Sequence, residues 1–370
     1  MKLFSKGVTV VKNLIAGLSW EVGVDLGSNK TLIYLKERGV VLDEATSLAR
    51  IKKKSWRGLS APKVKVLGPV AFGLKAKEMK NREPKQIEVV EPIKNGIVSD
   101  LEAAEKLVTH YMKLIYEIPS SYPKLFKPKV IVGVPSFVTE VQKRAVRQIF
   151  LGAGAREVFL VEQCVLGALA LGLNLDKSSG VLMVDIGGGK TEVMVVSSGG
   201  VVVGRGIKTA GNDFDEAIIN YIKLKYGLMI GQASAEKAKI EVGNMDTEAD
   251  RKRQIVIRGR DMATSLPKSV KITESEIREA VSMEVSKIVK LVAEVLDETP
   301  PEMMEEILNK GIVMVGGGSK LRGIEKLIEQ RVRINVEVAD EAEMVVIRGL
   351  GMLVEDENKT KLLKSLGGVS

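Results

Sequence analysis

The sequence predicts an α/β fold made of two related lobes, and three observations lead to this prediction. The chain has 370 residues, which is more than one compact hydrophobic core usually organises. A strand–turn–strand pattern over residues 21–35 recurs over residues 181–195. Elsewhere, short apolar segments alternate with amphipathic segments of helical period. We therefore expect a duplicated architecture in which each lobe has its own sheet.

The two copies of the pattern agree at the positions that shape its turn. Each copy reads as a strand, a tight glycine turn and a second strand. With Asp25 aligned on Asp185, the other matched pairs are Val24/Val184, Gly27/Gly187, Lys30/Lys190 and Thr31/Thr191.

The remaining elements follow from periodicity and capping signals. Thr273 and Glu276 have the spacing of a capping box, so a helix is expected to begin there and to end near Asp297. Further helices are predicted over residues 101–117, 139–151 and 163–173, and strands over residues 128–135, 159–161, 254–258 and 311–315. The last strand ends in the triple glycine Gly316-Gly317-Gly318.

Composition excludes several classes of protein. The single cysteine, Cys164, excludes a disulfide framework and a multi-cysteine zinc site, and it fits a reducing cytoplasm. The one histidine, His110, lies in an apolar helical pattern and is interpreted as a packing residue. A net charge of +9 suits either nucleic acid or an anionic membrane surface. The densest basic cluster, Lys52 to Arg57, matches no nucleic-acid-binding motif, so nucleic acid is not an expected partner.

Residues 2–18 show an amphipathic helical pattern. Its lysines lie opposite an apolar face that includes Leu3, Phe4, Val11, Leu14, Ile15 and Leu18. Such a helix can lie in a membrane interface with its lysines towards the headgroups, or it can pack on its own domain. A signal peptide is disfavoured because Lys12 interrupts the apolar stretch and no A-x-A site follows. No apolar run is long enough for a transmembrane helix.

Each glycine turn follows an aspartate at a strand end, and this arrangement suits phosphate chemistry. Glycine backbones can approach a phosphate closely and direct N–H groups at it. An aspartate beside a polyphosphate requires a cation, so Asp25 and Asp185 are candidate Mg²⁺ ligands, acting through water. The sequence contains no G-x-x-x-x-G-K-[ST] motif, which excludes a P-loop enzyme.

These segments resemble the actin, Hsp70 and sugar-kinase superfamily, and more narrowly the MreB family of bacterial actins. The similarity extends from about Val22 to Glu355 and is carried by segments 25–28, 90–100, 185–189, 211–221, 235–243 and 299–302. It implies a duplicated actin-like, ribonuclease-H-like fold, with two lobes of two subdomains around a nucleotide cleft. The implied domains are a membrane-binding segment (1–20), a first lobe (21–170, insertion about 46–94), a second lobe (171–355, insertion about 206–272) and a tail (356–370).

The resemblance also assigns site residues, with ATP and Mg²⁺ as cofactors. It places Gly27, Ser28, Asn29 and Lys30 in the first phosphate turn, and Gly187, Gly188, Gly189 and Lys190 in the second. The segment Glu236, Lys237, Ala238 and Lys239 would contact the ribose or base, although Glu236 and Lys239 alone would be read as a helix salt bridge. Gly316, Gly317, Gly318, Ser319 and Lys320 would close over the adenosine. The catalytic candidates are Asp25, Asp185, Glu162 and Gln163.

Three positions depart from the family pattern. Gln163 replaces the second glutamate of Ile-Glu-Glu-Pro, which helps to position the attacking water, but actin itself has glutamine at the matching place. Lys190 replaces a threonine near the γ-phosphate, and Lys30 replaces an asparagine of the first turn. Two lysines should strengthen nucleotide binding, whereas their effect on hydrolysis is open.

The resemblance implies a cytoskeletal ATPase that forms homopolymeric filaments in the cytoplasm, peripheral at the inner face of the membrane. In the family such filaments scaffold cell-wall elongation, with partners such as MreC, MreD and RodZ, and maintain rod shape. MreB-like proteins insert a two-residue apolar loop into lipid where this chain has Leu125 and Phe126, although loop residues of this kind often pack inward. The alternatives are a specialised MreB paralogue, a chaperone-like ATPase and a metabolic kinase. The chaperone needs a substrate domain and the kinase needs a catalytic base, and neither is found in the sequence.

Overall fold

The computed structural model describes residues 20–52, 68–118, 127–172, 180–248 and 252–356, with residues 358, 359 and 361. The two predicted membrane segments, residues 2–18 and Leu125-Phe126, lie outside the described residues, as does most of the basic cluster that begins at Lys52. The described chain forms two compact units. Unit 1 contains the residues up to Val134, Val138–Glu162 and the residues from Leu350 onward, and unit 2 contains Pro135–Phe137 and Gln163–Gly349.

Unit 1 is built around a five-stranded sheet of order β10-β9-β1-β2-β3. The first three strands form an antiparallel meander, β9 runs parallel to β1, and β10 runs parallel to β9. The central strands β1 and β9 are apolar and buried along most of their length, as expected for strands covered on both faces. The elements of unit 1 are β1 (Glu21–Leu26), β2 (Lys30–Leu35), β3 (Gly39–Ala45), β4 (Leu48–Ile51), β5 (Ala71–Phe72), α1 (Gly73–Met79), β6 (Ile87–Val90), β7 (Ile93–Lys94), β8 (Ile97–Val98), α2 (Leu101–Glu117), β9 (Lys129–Val134), α3 (Glu140–Gly152) and β10 (Glu157–Glu162).

Unit 2 repeats this topology in the sheet β13-β12-β11-β17-β18. Again three strands form an antiparallel meander and two parallel strands follow on the side of the first. Its elements are α4 (Gln163–Ala170), β11 (Val181–Ile186), β12 (Thr191–Ser197), β13 (Gly200–Ile207), α5 (Gly211–Tyr226), β14 (Leu228–Met229), α6 (Gln232–Val242), β15 (Gln254–Asp261), β16 (Pro267–Thr273), α7 (Glu274–Asp297), α8 (Pro301–Lys310), β17 (Ile312–Val315), a 3₁₀ turn (Gly317–Lys320), α9 (Ile324–Val332), β18 (Val336–Val338), a second 3₁₀ turn (Ala342–Met344) and α10 (Val345–Glu355), whose residues from Leu350 are counted in unit 1.

Both units carry extra elements at the same point of the topology, between the third meander strand and the longest described helix of the unit, which is α2 in unit 1 and α7 in unit 2. In unit 1 these are β4 to β8 with α1, and in unit 2 they are α5, β14, α6, β15 and β16. This shared arrangement, together with the matched sheets, confirms the duplicated α/β fold. The duplicated hairpins lie where the sequence pattern predicted them, with β1–β2 over residues 21–35 and β11–β12 over residues 181–197.

Each unit has its own apolar core. In unit 1, α2 packs its buried face on the sheet, and the Tyr111 hydroxyl donates to the carbonyl of Ala45 at 2.5 Å. His110 on the same helix stacks on Phe72 with ring centroids 4.0 Å apart, and burial lowers its pKa, which agrees with a packing role. In unit 2, residues of β11, β12, α5 and α7 form one buried cluster.

Helix α7 begins at the predicted capping box. The Thr273 hydroxyl accepts from the N–H of Glu276 at 3.3 Å, and the Glu276 carboxylate accepts from the N–H of Thr273 at 2.9 Å. Burial opposes ionisation of Glu276, but hydrogen bonds from Tyr226, Thr273 and Lys225 outweigh it and lower its pKa to about 2. The first turn of α7, the longest described helix, is therefore capped by Thr273 and also hydrogen-bonded to the end of α5.

We expect Thr273→Ala to destabilise unit 2 by about 1 kcal/mol, because the N–H of Glu276 loses its acceptor. Urea unfolding followed by circular dichroism measures the change, with Ser282→Ala in the middle of α7 as control. Surface changes of that kind stay within about 0.5 kcal/mol. Equal stability of the two variants would contradict the role given to the cap.

Candidate functional site

The turn between β11 and β12 is closed by its own backbone. The N–H of Gly187 donates to the carbonyl of Lys190 at 3.0 Å, so residues 187–190 form a tight loop. Asp185 lies just before this loop and pairs across the hairpin with Glu192. Cross-strand partners project to the same face of a sheet, and so do residues two apart on one strand. Asp185, Glu192 and Lys190 therefore share one side of the hairpin end.

These three side chains form a charged cluster. The Lys190 ammonium is ion-paired with the Glu192 carboxylate, and the two side chains are only 15% and 3% exposed. Burial raises the pKa of Asp185 to about 6, with a further increase from Glu192 and an opposing effect of Lys190. A carboxyl with a raised folded-state pKa favours folding only while it is protonated, so its contribution is lost as the pH rises through about 6. At neutral pH, Asp185 is a carboxylate in surroundings that disfavour its charge.

The triple glycine lies directly against this hairpin. A Cβ atom at Gly316 would come within 2.4 Å of both the Asp185 Oδ1 and the carbonyl oxygen of Ile186, and Gly316 has a φ of +84°. A Cβ at Gly318 would lie 2.4 Å from the Ile186 side chain. Only glycine at positions 316 and 318 permits this approach. The turn 316–318 therefore packs directly against the C-terminal end of β11, beside the Asp185 carboxylate.

The other side of the turn is held by α5 and α6. The N–H groups of Gly211 and Asn212, at the start of α5, donate to the carbonyls of Gly187 (3.1 Å) and Gly188 (2.8 Å). Lys239 of α6 reaches the same place, because its ammonium lies 2.9 Å from the carbonyl of Gly211 and 2.7 Å from Asp215, which is 2% exposed. The turn is thus held by hydrogen bonds from the start of α5, and the largely buried Lys239–Asp215 ion pair lies beside it.

Two predicted groups remain, residues 236–239 on α6 and residues 316–320 in the glycine turn. Within each group the side chains face different surroundings. In α6, Lys239 faces the turn, Ala238 is buried in the core, and Lys237 pairs with Glu241 at 3.6 Å on the exposed side of the helix. Glu236 is half-buried on α6. In the glycine turn, Ser319 is buried and its hydroxyl donates to the carbonyl of Gly316 at 2.6 Å, while Lys320 is ion-paired with Glu343. Ser319 therefore fixes the shape of the turn.

The first hairpin, in unit 1, has the same backbone. The N–H of Gly27 donates to the carbonyl of Lys30 at 3.0 Å, and Asp25 ends β1 as Asp185 ends β11. The Ser28 hydroxyl accepts from the N–H of Gly96 at 3.0 Å, and the Asn29 carbonyl accepts from the N–H of Thr46 at 3.0 Å.

The two hairpins differ in their side chains. Asp25 pairs with Leu32 where Asp185 pairs with Glu192, and the exposed Lys30 lies 2.9 Å from Asp43 on β3. The duplicated threonines, Thr31 and Thr191, are both buried and bonded within their own units. The lysine of the second copy is therefore paired with a buried acid, whereas the lysine of the first copy is paired at the surface.

The remaining catalytic candidates lie at one junction of the chain. Glu162 is the last residue of β10, and Gln163 is the buried first residue of α4. The next residue, Cys164, is buried, and its sulfur lies 3.0 Å from the Ser136 hydroxyl. In the same unit, the Glu192 carboxylate accepts from the N–H groups of Ser136 (3.1 Å) and Phe137 (3.4 Å). Glu192 thus links the second turn to Ser136 and Phe137, which belong to the same unit.

Sequence reasoning missed two supporting residues, Glu192 and Asp215. Glu192 carries a weak signal, because an acid in an otherwise apolar buried strand is unusual and needs a partner. Asp215 lies in the segment 211–221 that carries the resemblance, but nothing in the sequence pairs it with Lys239.

The donors at the second turn fit a magnesium–phosphate group. A partly desolvated carboxylate favours a bound cation, and Mg²⁺ is usually held by one or two carboxylates and substrate phosphates. No cluster of three or more His, Cys, Asp or Glu suited to a metal ion occurs among the described residues, so the protein alone offers no metal cage there. The glycines that follow Asp185, residues 187–189, carry no Cβ atoms, so their backbone N–H groups can approach a phosphate closely.

Two copies of one sheet topology, each with a glycine turn after an acidic strand end, define an actin-like protein. Residues 19–362 match the family described as MreB/Mbl protein. The cell shape-determining protein MreB of Escherichia coli K12 is 37% identical over 346 residues, which cover 94% of this chain and 96% of that protein. The cell shape-determining protein Mbl of Bacillus subtilis is 34% identical over 340 residues, covering 92% and 97%. The chain therefore belongs to the MreB/Mbl family.

Solved structures agree with this assignment. The crystal structure of MreB5 of Spiroplasma citri bound to ADP superposes with a TM-score of 0.83 at 32% identity, covering 94% of this chain and 98% of that one. A MamK double helical filament superposes with a TM-score of 0.73 at 21% identity, covering 91% and 99%, which supports the fold alone. The predicted family and actin-like fold are both confirmed.

We expect Gly316→Ala to lower stability and to abolish nucleotide binding, because the new methyl group would collide with Asp185 and the Ile186 carbonyl at an unfavourable φ. Gly200→Ala in β13 is the control, since nothing lies within 4 Å of its Cβ and it is not among the candidate nucleotide residues. Thermal unfolding and fluorescent-nucleotide titration measure both effects. If the two alanine variants behave alike, the close approach at Gly316 is not a constraint.

We also expect Lys190→Met to destabilise the protein by roughly 3 kcal/mol, because it leaves the buried Glu192 carboxylate beside Asp185 without its cation. Adding Glu192→Gln should recover most of the loss, since the amide oxygen can still accept from Ser136. Urea unfolding of the single and double variants gives the coupling energy. Additive effects of the two changes would show that the pair does not interact.

Proposed function

We propose that this chain is an ATP-binding, filament-forming actin homologue that binds the inner membrane surface and scaffolds cell-wall elongation, so maintaining rod shape. The observation that best supports this proposal is the partly desolvated Asp185 carboxylate, which lies at the end of β11 just before the glycine turn 187–189 and is approached closely by Gly316. Support for the ligand comes from the relatives, because MreB5 of Spiroplasma citri has been solved bound to ADP and bound to AMPPNP. Self-assembly into filaments is proposed by family resemblance, because the chain belongs to the MreB/Mbl family.

In this proposal the chain's own residues hold the nucleotide as follows. Backbone N–H groups of Gly188 and Gly189 face the phosphates, and the first turn, residues 27–30, offers the same chemistry. By family resemblance Asp185 and Asp25 are each proposed as Mg²⁺ ligands that would act through water, and the ion would neutralise phosphate charge when bound. The glycine run 316–318 and Lys239 lie beside the second turn, where they define the adenosine side.

Hydrolysis is proposed to be slow. Gln163 can orient water through its amide, but it is not a base at neutral pH. Lys190 is already neutralised by Glu192, so its ammonium is only partly available to a phosphate. Glu162 adjoins Gln163 and is the remaining acid of this group. The ATPase is therefore expected to serve assembly, with turnover coupled to polymerisation.

Membrane binding is the second part of the proposal. None of the described helices is long and apolar enough to cross a membrane. The amphipathic pattern over residues 2–18 and the apolar pair Leu125-Phe126 support peripheral contact with anionic lipid.

We propose self-association as the main interaction, and MreC, MreD and RodZ as partners by family resemblance. A chaperone-like ATPase would not pellet with ATP, so sedimentation separates the two functions.

Asp185→Ala is expected to abolish Mg²⁺-dependent phosphate release and ATP-dependent pelleting, because the change removes a cation ligand and little core volume. Asp297→Asn, at the exposed end of α7, is the control and should behave as the parent. Phosphate release and sedimentation are measured with Mg·ATP. Normal turnover by the Asp185 variant would show that the site is assigned to the wrong residues.

For the membrane, we expect filaments to bind anionic liposomes and monomers to remain free. One apolar side chain contributes about 1.5–3 kcal/mol on full burial in lipid, so a single site binds weakly while a filament multiplies it. Deleting residues 2–18 should reduce co-sedimentation strongly, and Leu125→Ser with Phe126→Ser should reduce it further. High salt should weaken binding by screening the lysines. Undiminished liposome binding by the combined variant would contradict membrane attachment through these segments.

A further inference from the structure

Strand β15 has an open edge in the inserted sheet of unit 2. The sheet order is β14-β15-β16, but β14 is only two residues long and pairs only with Arg260 and Asp261 at the end of β15. After Met229 the chain leaves the sheet and starts α6 at Gln232. Along residues 254–258, no strand of the described chain therefore pairs with β15 on the side away from β16.

The hydrogen-bond register shows which backbone groups face this edge. At one end of the hairpin the N–H of Glu274 donates to Arg253, and at the other end the N–H of Asp261 donates to Leu266. Odd-numbered residues of β15 therefore bond to β16, because bonded and non-bonded pairs alternate in an antiparallel ladder. The N–H and C=O groups of Gln254, Val256 and Arg258 point the other way, towards the open edge. The N–H of Met262, which donates to Gly227, continues the same row at the far end.

A groove runs beside this edge. Its volume is about 370 Å³, and it is lined by Ser234 and Lys237 of α6 and by residues 255–258 of β15. That volume lies in the range of small ligand pockets. An open strand edge next to a helix is the geometry in which an extended peptide adds as a further strand.

The surface around the groove is apolar and basic. Val256 is 53% exposed, and its cross-strand partner on β16 is the exposed Lys271. Arg258 is exposed two residues further along the same face, and Lys237 stands on the other wall. An added strand would place an apolar side chain opposite Val256 and a charged one opposite Arg258, and acidic residues would be favoured there. The same positive charges oppose the approach of a second copy of this edge, so they favour a partner of opposite charge.

We propose that the edge of β15, facing α6, is a docking site for an extended acidic peptide segment of a partner protein, bound by strand addition. The backbone groups of Gln254, Val256 and Arg258 provide the ladder, and Arg258 and Lys237 select the charge. This site is separate from the residues proposed to hold ATP and Mg²⁺, apart from Lys237, which faces the groove.

The direct test uses the full chain without nucleotide and a short fluorescein-labelled peptide with the repeat valine-threonine-glutamate-threonine, which places valine and glutamate in turn on one face of an extended strand. Fluorescence anisotropy should show saturable binding, and an otherwise identical lysine–valine peptide should not bind. Arg258→Glu should weaken the acidic peptide about tenfold and admit the lysine peptide. Arg331→Glu on α9, an exposed arginine away from the groove, should leave both affinities unchanged. Failure of the acidic peptide to bind the parent, or equal binding by the Arg258 variant, overturns the proposal.

Backbone pairing is tested separately. Val256→Pro removes an N–H that faces the open edge and no bond to β16, so it should abolish peptide binding while the folded protein persists. Hydrogen exchange on the unmodified chain gives the same information without a variant. Peptide should slow exchange at Gln254, Val256 and Arg258, whereas Ile255 and Ile257 should be slow with or without it. Unchanged exchange at the three edge amides overturns the proposal, as does dimerisation of the parent that Arg258→Glu abolishes, since a second copy would then be the occupant.

Discussion

The structure of unit 2 depends on one constraint, which is the close packing of backbone around the carboxylate of Asp185. The glycine run 316–318 approaches β11 so closely that a methyl group at Gly316 would overlap with the carboxylate. This packing partly desolvates the Asp185 carboxylate and raises its pKa to about 6. A carboxylate that is poorly solvated within the protein interacts strongly with a bound cation. The site therefore derives its proposed affinity for a magnesium–nucleotide group from the same contacts that fix the two turns.

The two hairpins show how a duplicated element can acquire different electrostatics. Both turns close with the same hydrogen bond, and both are followed by a buried threonine. Their lysines differ, because Lys30 pairs with Asp43 at the surface while Lys190 pairs with the buried Glu192. Through Glu192 the second pair also binds the N–H groups of Ser136 and Phe137. We infer that Lys190 contributes mainly to the internal charge balance of its turn.

The sequence predicted the local elements well, because their signals are local. The glycine turns, the buried strands and the capping box of Thr273 and Glu276 depend on residues a few positions apart. The charge cluster could not be predicted in full, since it depends on tertiary pairing. A phosphate role was expected for Lys190, and although an acid in the apolar strand β12 indicates that Glu192 needs a partner, nothing in the sequence indicates that Lys190 is that partner. Helix α6 illustrates the same limit, because a helix directs Lys237 and Lys239 to different sides and only the fold decides which side meets the turn.

The most direct test of this account is the pKa of Asp185, measured by carboxyl-carbon NMR on aspartate-labelled protein and assigned with Asp185→Asn. In the nucleotide-free protein we expect the Asp185 carboxyl to have a pKa of about 6. Adding Mg²⁺ with a non-hydrolysable ATP analogue should then move the pKa well below the ordinary aspartate value of about 3.9, because the bound cation favours the carboxylate. A pKa near 3.9 in the free protein that does not respond to the magnesium nucleotide would contradict it.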